Sequence, residues 1–316
     1  LVERGSLGGT CLNRGCIPTK TYLKNAEMIA SVRECAKRGI VLADPTLTVD
    51  MPKWVSLKNR IVKRLTTGVG VLLREHDVTV VQGEGRIEPL ESPAENGSRF
   101  NVQVLSEERD DEEATLLATK NVIAAGGSKV GRLPIPGLDD PRVLTSDTIL
   151  DLKELPDSLA ILGGGVIGIE MARIFSSTGV KTTIVEREPR LAPMLDVELS
   201  DALAKTFKRE KVDVRTGVEV KEIQFSDEGA SLVLAGGETI NAAAVLLSVG
   251  RVPDESALGG LDLEREGRAI RVDGSMRTSI PGLYAPGDVN AQNMLAHAAF
   301  KMGEVAAQDA MGHMEH

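Results

Sequence analysis

The sequence predicts an α/β fold. Two observations carry the prediction. From residue 159 the chain reads as an apolar strand (159–162), a glycine loop (163–168), a helix to Ser177 and a second strand (181–185). The composition agrees: 32 glycines stand against 5 Phe, 2 Tyr and 1 Trp, which suits tight α/β turns and close backbone approach. At 316 residues, two domains are expected.

The elements follow in order. Leu1-Val2-Glu3 reads as the end of a strand. Residues 21–39 read as a helix, with Leu23, Ala26, Met28, Ile29 and Val32 apolar and Gly39 as its stop. Residues 53–76 read as a second helix, because Trp54, Leu57, Ile61, Leu65, Val69 and Leu72 recur at helical spacing. A β-rich stretch follows, with strands at 78–81, 99–104 and 115–125, and the acidic segment Glu107 to Glu113 as a solvated hairpin tip. Residues 122–127 form an apolar run ending in glycines, and Leu133-Pro134-Ile135-Pro136-Gly137 is a turn or linker. Beyond the βαβ unit come a helix at 198–210, strands at 212–215, 221–225, 231–234 and 244–249, and a final strand, Gly-Asp turn and helix over 283–311.

Charge and composition exclude several classes. A formal net charge of −9 argues against nucleic acid and anionic membrane surfaces as partners. No apolar run reaches the ~18 residues of a membrane span, and no secretory signal is seen. Three cysteines in a chain of this length read as intracellular, hence cytoplasmic, or mitochondrial matrix for a eukaryotic source.

Two of the cysteines, Cys11 and Cys16, share the run Gly8-Gly9-Thr10-Cys11-Leu12-Asn13-Arg14-Gly15-Cys16-Ile17-Pro18-Thr19-Lys20. On an ideal helix five residues advance ~7.5 Å, whereas a disulfide tolerates Cα separations up to ~7 Å. The pair can close only where the helix start is distorted, which Asn13 and Gly15 permit. A bond that depends on local strain is easily reduced and suits a catalytic dithiol. The spacing alone leaves open a redox disulfide, half of a zinc site, or two buried thiols. His76, His297, His313 and His316 make no paired spacing with a second cysteine motif.

Gly163, Gly165 and Gly168 match Gly-x-Gly-x-x-Gly in the context the dinucleotide motif requires: after a strand, opening a helix, with Glu186 ending the next strand. The first glycine makes the turn, the second lets backbone approach a pyrophosphate, and the third lets helix and strand pack. The helix N-terminus then faces the phosphates. Glu186 can accept from both ribose hydroxyls and would repel a 2′-phosphate, so NAD is read rather than NADP. Arg187 and Arg190 are the neighbouring cations. The bland alternative is a structural glycine turn with Glu186 merely exposed.

The cysteine string resembles the active-site signature of the flavin disulfide reductases, the pyridine nucleotide disulfide oxidoreductase family. Cys-Leu-Asn-x-Gly-Cys-Ile-Pro-Thr-Lys is most similar to its dihydrolipoamide dehydrogenase branch. The resemblance implies two Rossmann-like dinucleotide-binding domains: an incomplete FAD domain with a β-rich insert, and an NAD domain, with no C-terminal interface domain. The expected division is 1–148 for the FAD-binding part, 149–270 for the NAD-binding domain and 271–316 for the return segment of the FAD domain. Family chains also carry an FAD glycine loop upstream of the thiols and a downstream interface domain with a His-Glu acid–base pair. Both are expected to fall outside this chain, which reads as truncated at both ends.

The resemblance also implies roles. Cys11 is the interchange thiol and Cys16 the thiol against the flavin. Lys20 reaches the flavin near N5, with Glu170 as its carboxylate partner; a buried Lys–Glu pair is costly unless well satisfied, which favours a site role over a structural one. Glu3 resembles the acid that holds the FAD adenosine ribose, and Gly85 a backbone contact to the adenine end. Gly126, Gly127 and Ser128 resemble the Ala-Thr-Gly-Ser turn beside FAD, with Gly126 in place of threonine. Asp288, in Ala285-Pro286-Gly287-Asp288, resembles the ribityl contact. Met294, Leu295, Ala296 and His297 resemble the following flavin contact, and His297 is not taken for the catalytic base. Taken alone, Asp288 and His297 would be a turn aspartate and a helix-start histidine. Val218 and Gly250 resemble positions that line the nicotinamide cofactor. The implied reaction is oxidation of a protein-bound dihydrolipoyl group through the disulfide and FAD, with hydride transfer to NAD. The implied partners are the lipoyl domain of a 2-oxoacid dehydrogenase or glycine cleavage complex, and a second copy of the chain, since the family is homodimeric. Another reductase of the family, such as a mercuric reductase, and a non-catalytic NAD-binding fragment are the alternatives.

Overall fold

The computed structural model describes residues 1–44, 46–105 and 115–313; the expected hairpin tip at Glu107 to Glu113 and His316 lie outside the described residues. The chain forms two compact units, one of residues 12–64 and 130–250, the other of residues 1–11, 65–129 and 251–316.

The first unit holds a five-stranded parallel sheet in the order Asp213–Thr216, Lys181–Glu186, Ser158–Leu162, Ala244–Leu247, Val143–Thr145. Its strands read as continuous apolar runs because a parallel sheet is covered on both faces; Leu159, Ala160, Ile161 and Leu162 are all buried. The register sets Leu162 opposite both Val185 and Leu247, and Glu186 opposite Thr216, so adjacent strands end level. Helix Val166–Ser177 follows the strand Ser158–Leu162 and buries Gly168, Met171, Ala172, Ile174 and Phe175, a stripe at three- and four-residue spacing. Each large apolar side chain buried there stabilises the unit by ~1.5–3 kcal/mol. Tyr22 of helix Cys16–Glu34 and Met51 of helix Met51–Glu75 enter the same core. A second core lies under the antiparallel sheet Val220–Ser226, Gly229–Leu234, Thr239–Ala242.

The other unit has an antiparallel sheet, Glu84–Pro89, Phe100–Leu105, Thr115–Thr119, and two short parallel pairs: Val2–Glu3 with Val81–Gln82, and Val122–Ile123 with Leu283–Tyr284. Phe100, Ile87, Leu283, Ala285 and Val289 form its core, and helix Ala296–Ala310 closes it. Among the described residues no helix is long and apolar enough to cross a membrane.

Several boundaries differ from expectation. The first helix starts at Cys16 and ends at Glu34, continuing as a 3₁₀ turn Cys35–Arg38 before Gly39 at φ 78°. The expected strand 115–125 is two: Thr119 Oγ1 donates to Asn121 O, the chain turns, and Val122–Ile123 joins a different sheet. The expected strand 78–81 retains only Val81, in Val81–Gln82. Strand Glu84–Pro89 escaped the sequence reading because of its six residues only Ile87 is buried, and Val143–Thr145 because it has three residues.

Candidate active site

The dithiol lies where two helices adjoin. Helix Gly9–Asn13 ends, Arg14 and Gly15 break the path, and helix Cys16–Glu34 begins. Cys11 therefore belongs to the first helix, Cys16 opens the second, and the two are disulfide-bonded. This is the distortion that the spacing demanded, and it decides among the readings the spacing left open. Gly8 and Gly9 take φ of 105° and 67°, left-handed backbone that glycine adopts without steric penalty. Pro18 falls in the first turn, where its missing N–H would have had no intrahelical partner. The helix-opening bond runs from Thr19 N–H to Gly15 O at 3.1 Å. Cys35 is a free thiol.

One turn on from Cys16, Lys20 Nζ donates to Glu170 Oε1 at 2.5 Å. Glu170 stands on helix Val166–Ser177, two residues after Gly168. The expectation of a buried pair is corrected here: the Lys20 side chain is 59% exposed and that of Glu170 22%. An ion pair so open to water contributes ~0–1 kcal/mol to stability, so fold maintenance does not account for it.

Sequence reasoning missed the support behind this helix. Tyr22, fully buried, donates to Leu150 O at 2.9 Å and meets Trp54 edge-on at 5.1 Å between ring centroids. Lys58, also buried, pairs with Asp151. Burial pushes the Tyr22 phenol well above its ordinary pKa, and the Asp151 charge adds to the shift. The apolar periodicity singled out neither Tyr22 nor Lys58, because their partners Leu150 and Asp151 lie far along the chain.

The glycine loop divides its labour as the motif requires. Gly163 has φ 102°, and a Cβ there would meet Ser248 O at 2.5 Å. A Cβ on Gly168 would meet Gly163 O at 2.0 Å. Around Gly165 nothing lies within 4 Å of that position, so backbone is open to a ligand. Ser248, not foreseen from the sequence, ties the loop down: its one hydroxyl proton is shared between Leu162 O (2.9 Å) and Gly163 O (3.0 Å). Glu186 accepts from Gly164 N–H at 2.6 Å through Oε2 and from Glu188 N–H at 2.7 Å through Oε1. Each carboxylate oxygen keeps further acceptor capacity for a ribose hydroxyl. Val218 N–H donates to Glu186 O at 3.0 Å. Gly250, φ 102°, follows the strand Ala244–Leu247 and also has open space at its Cβ position. Gly163, Glu186, Val218 and Gly250 thus gather at the carboxyl ends of adjacent parallel strands, the place where such sheets take ligands. Arg190 is tied to Pro193 O at 2.7 Å and Arg187 to Glu188 at 3.3 Å.

In the other unit, Glu3 Oε1 accepts Gly5 N–H at 2.8 Å. A Cβ on Gly85 would lie 3.3 Å from Val2 Cγ1, so this glycine lets the Glu3 strand pack closely. Gly126 has a local cause: a Cβ there would lie 2.4 Å from Asp254 O, which leaves no room for a larger residue as the backbone stands. Gly127, φ 71°, has nothing within 4 Å of its Cβ position. Ser128 Oγ donates to Asp288 Oδ2 at 2.6 Å. Burial works to raise the Asp254 carboxyl, but the Ser256 amide and hydroxyl, Arg4 at 3.1 Å and the Lys129 charge outweigh it and hold the group below its ordinary value. Helix Ala296–Ala310 opens with Ala296 and His297, after Met294 and the extended N-cap residue Leu295, and has no side-chain cap. Its opening bond, Ala299 N–H to Leu295 O at 2.9 Å, leaves the amides of residues 296–298 directed out of the helix start. An open glycine, a carboxylate and uncapped amides suit a polyol-phosphate ligand such as FAD.

The pyridine nucleotide-disulphide oxidoreductase family model matches residues 1–303. A dihydrolipoyl dehydrogenase of Acholeplasma laidlawii is 38% identical over 313 residues, covering 98% of this chain and 87% of the relative. One of Chlorobaculum tepidum is 34% identical over 318 residues, covering 99% of this chain but 65% of the relative. The crystal structure of LpdA from Mycobacterium tuberculosis superposes with a TM-score of 0.88 at 24% identity, over 100% of this chain and 67% of that one. The Escherichia coli HOCl-induced flavoprotein disulfide reductase RclA, as its Cu(II) complex, gives 0.81 at 25% identity, over 98% and 64%.

Proposed function

The chain belongs to the pyridine nucleotide-disulphide oxidoreductase family, and from that membership we propose that it acts as a dihydrolipoyl dehydrogenase using FAD and NAD. The observation that carries the reading is the Cys11–Cys16 disulfide at a helix start, one turn from a Lys20–Glu170 pair whose carboxylate stands on the glycine-loop helix. The substrate is a dihydrolipoyl group, carried by the lipoyl domain of a 2-oxoacid dehydrogenase or glycine cleavage complex in the cytoplasm. The proposed division by cofactor is 1–148 and 271–316 for FAD, and 149–270 for NAD.

One substrate thiolate attacks Cys11 Sγ and the Cys11–Cys16 bond breaks, leaving Cys16 as a thiolate. The second substrate thiol then displaces Cys11. The products are a lipoyl disulfide and two protein thiols, so two electrons and two protons have entered the protein. Cys16 opens a helix, where the exposed amides and dipole favour the thiolate. Bound FAD and NAD would supply the two-electron carrier and the hydride acceptor. Gly165 and Gly250 leave backbone open for the dinucleotide, and Glu186 accepts its ribose hydroxyls. Lys20, held by Glu170, places a cation one turn from Cys16.

The test is substrate competition. The FAD-loaded chain is given NAD with dihydrolipoamide or reduced glutathione, and NADH with Hg(II). Turnover with dihydrolipoamide alone, lost in Cys11→Ser and Cys16→Ser, is expected. Preference for either of the others, or turnover that survives loss of both thiols, contradicts the reading.

A further inference from the structure

Arg251 follows Gly250 directly and opens the short strand Arg251–Pro253. Its Nε donates to Ser128 Oγ at 2.8 Å and its Nη2 to Ser128 O at 2.6 Å. One guanidinium thus grips both the hydroxyl and the backbone of one residue. Ser128 Oγ in turn donates to Asp288 Oδ2 at 2.6 Å. The polarity of this series is fixed by chemistry. Arginine has no acceptor, so Ser128 Oγ must accept from it, and the single hydroxyl proton goes to the carboxylate. Asp288 is the one residue in the run 283–290 that is not buried, so its side chain is the open position after strand Leu283–Tyr284.

We infer that Arg251 is a positioning residue for flavin binding: through Ser128 it fixes the Asp288 carboxylate with Oδ2 occupied and Oδ1 turned to accept a ribityl hydroxyl. The inference rests on the FAD reading above and extends it to a residue that acts through Ser128. The physical advantage is preorganisation. A carboxylate already held by a charge-backed hydroxyl need not be ordered when the polyol arrives. Lysine would keep the charge at 251 but lose the planar fork that holds hydroxyl and carbonyl together.

The experiment is a fluorescence titration of FAD into the full chain and its variants, with amide-exchange protection of helix Ala296–Ala310, in the same unit, measured on each ligand-free protein as the check that it has folded. Arg251→Met and Ser128→Ala are each expected to weaken FAD binding by about 10-fold, the lower end for a charge-assisted hydrogen bond. Ser128→Thr, which keeps the hydroxyl, is expected to retain most of the affinity. In an Asp288→Asn background, adding Arg251→Met is expected to change little, because the two act as one unit. Unchanged affinity in Arg251→Met and Ser128→Ala, or effects that add fully to that of Asp288→Asn, overturns the inference while leaving the FAD reading in place. A wild-type chain that takes up no FAD overturns both.

Discussion

Cys11, Cys16 and Cys35 differ in a way that a thiol titration reads directly. With Cys11–Cys16 bonded and Cys35 free, the untreated protein is expected to show one reactive thiol and the reduced protein all three. Three thiols without reductant would remove the basis of the redox reading. Lys20 and Glu170 permit an equally sharp separation of roles. Because the lysine end is largely solvated, Lys20→Met and Glu170→Gln are expected to shift stability by less than ~1 kcal/mol. Turnover of the FAD-loaded chain is expected to fall at least ~10-fold, since losing one charge-assisted contact in a reacting site has that order of effect. A large stability loss with little change in turnover would make the pair structural after all.

At the scale of elements, the glycine loop gives a paired prediction. Gly168→Ala places a methyl 2.0 Å from Gly163 O and must push helix from strand. It is expected to destabilise the nucleotide unit by ~1–3 kcal/mol in denaturant melts. Gly165→Ala meets no atom within 4 Å, so stability is kept while NADH affinity falls. The reverse pattern would mean that the loop is a structural turn. The C-terminal helix supplies a pH prediction. The Asp309 carboxylate accepts from Arg277 Nε (2.7 Å) and Nη2 (2.6 Å) and from Tyr284 OH (2.8 Å). The Arg277 bonds outweigh burial and hold Asp309 below its ordinary 3.8. A depressed carboxyl stabilises the fold fully above its unfolded value, and that contribution is lost as pH falls through the lower folded value. Amide-exchange protection of helix Ala296–Ala310 is therefore expected to hold at pH 5 and decline below pH 3.8, with Asp309→Asn insensitive over that window. Equal acid sensitivity in both proteins would contradict it. The elements legible in the sequence were those with period or motif. The helix Met51–Glu75, the βαβ unit and the Gly-Asp turn belong to this group. What was illegible depends on distant partners. Strand Glu84–Pro89 is polar by composition and exists because Phe100–Leu105 pairs with it. Ser248, Arg251 and Tyr22 become significant only when the fold brings them to Gly163, Ser128 and Leu150.

For the whole molecule, the proposed division by cofactor implies two ligand-specific responses. NADH at ~100 times its Kd is expected to stabilise residues 149–270, the part assigned to it, by ~2.7 kcal/mol. Stabilisation of residues 1–148 and 271–316 is expected from FAD. Hydrogen exchange resolved by segment tests this, and uniform protection by either ligand would contradict the division. The chain spans 65% of the Chlorobaculum tepidum relative, so its activity is best tested directly. The most direct measurement is an anaerobic titration of the FAD-loaded chain with dihydrolipoamide, following visible absorbance and free thiols together. The expected result is stoichiometric appearance of the Cys11 and Cys16 thiols, followed by NADH formation when NAD is added. A Cys11–Cys16 bond that survives excess dihydrolipoamide, or thiols that appear with no NADH to follow, would contradict the assignment.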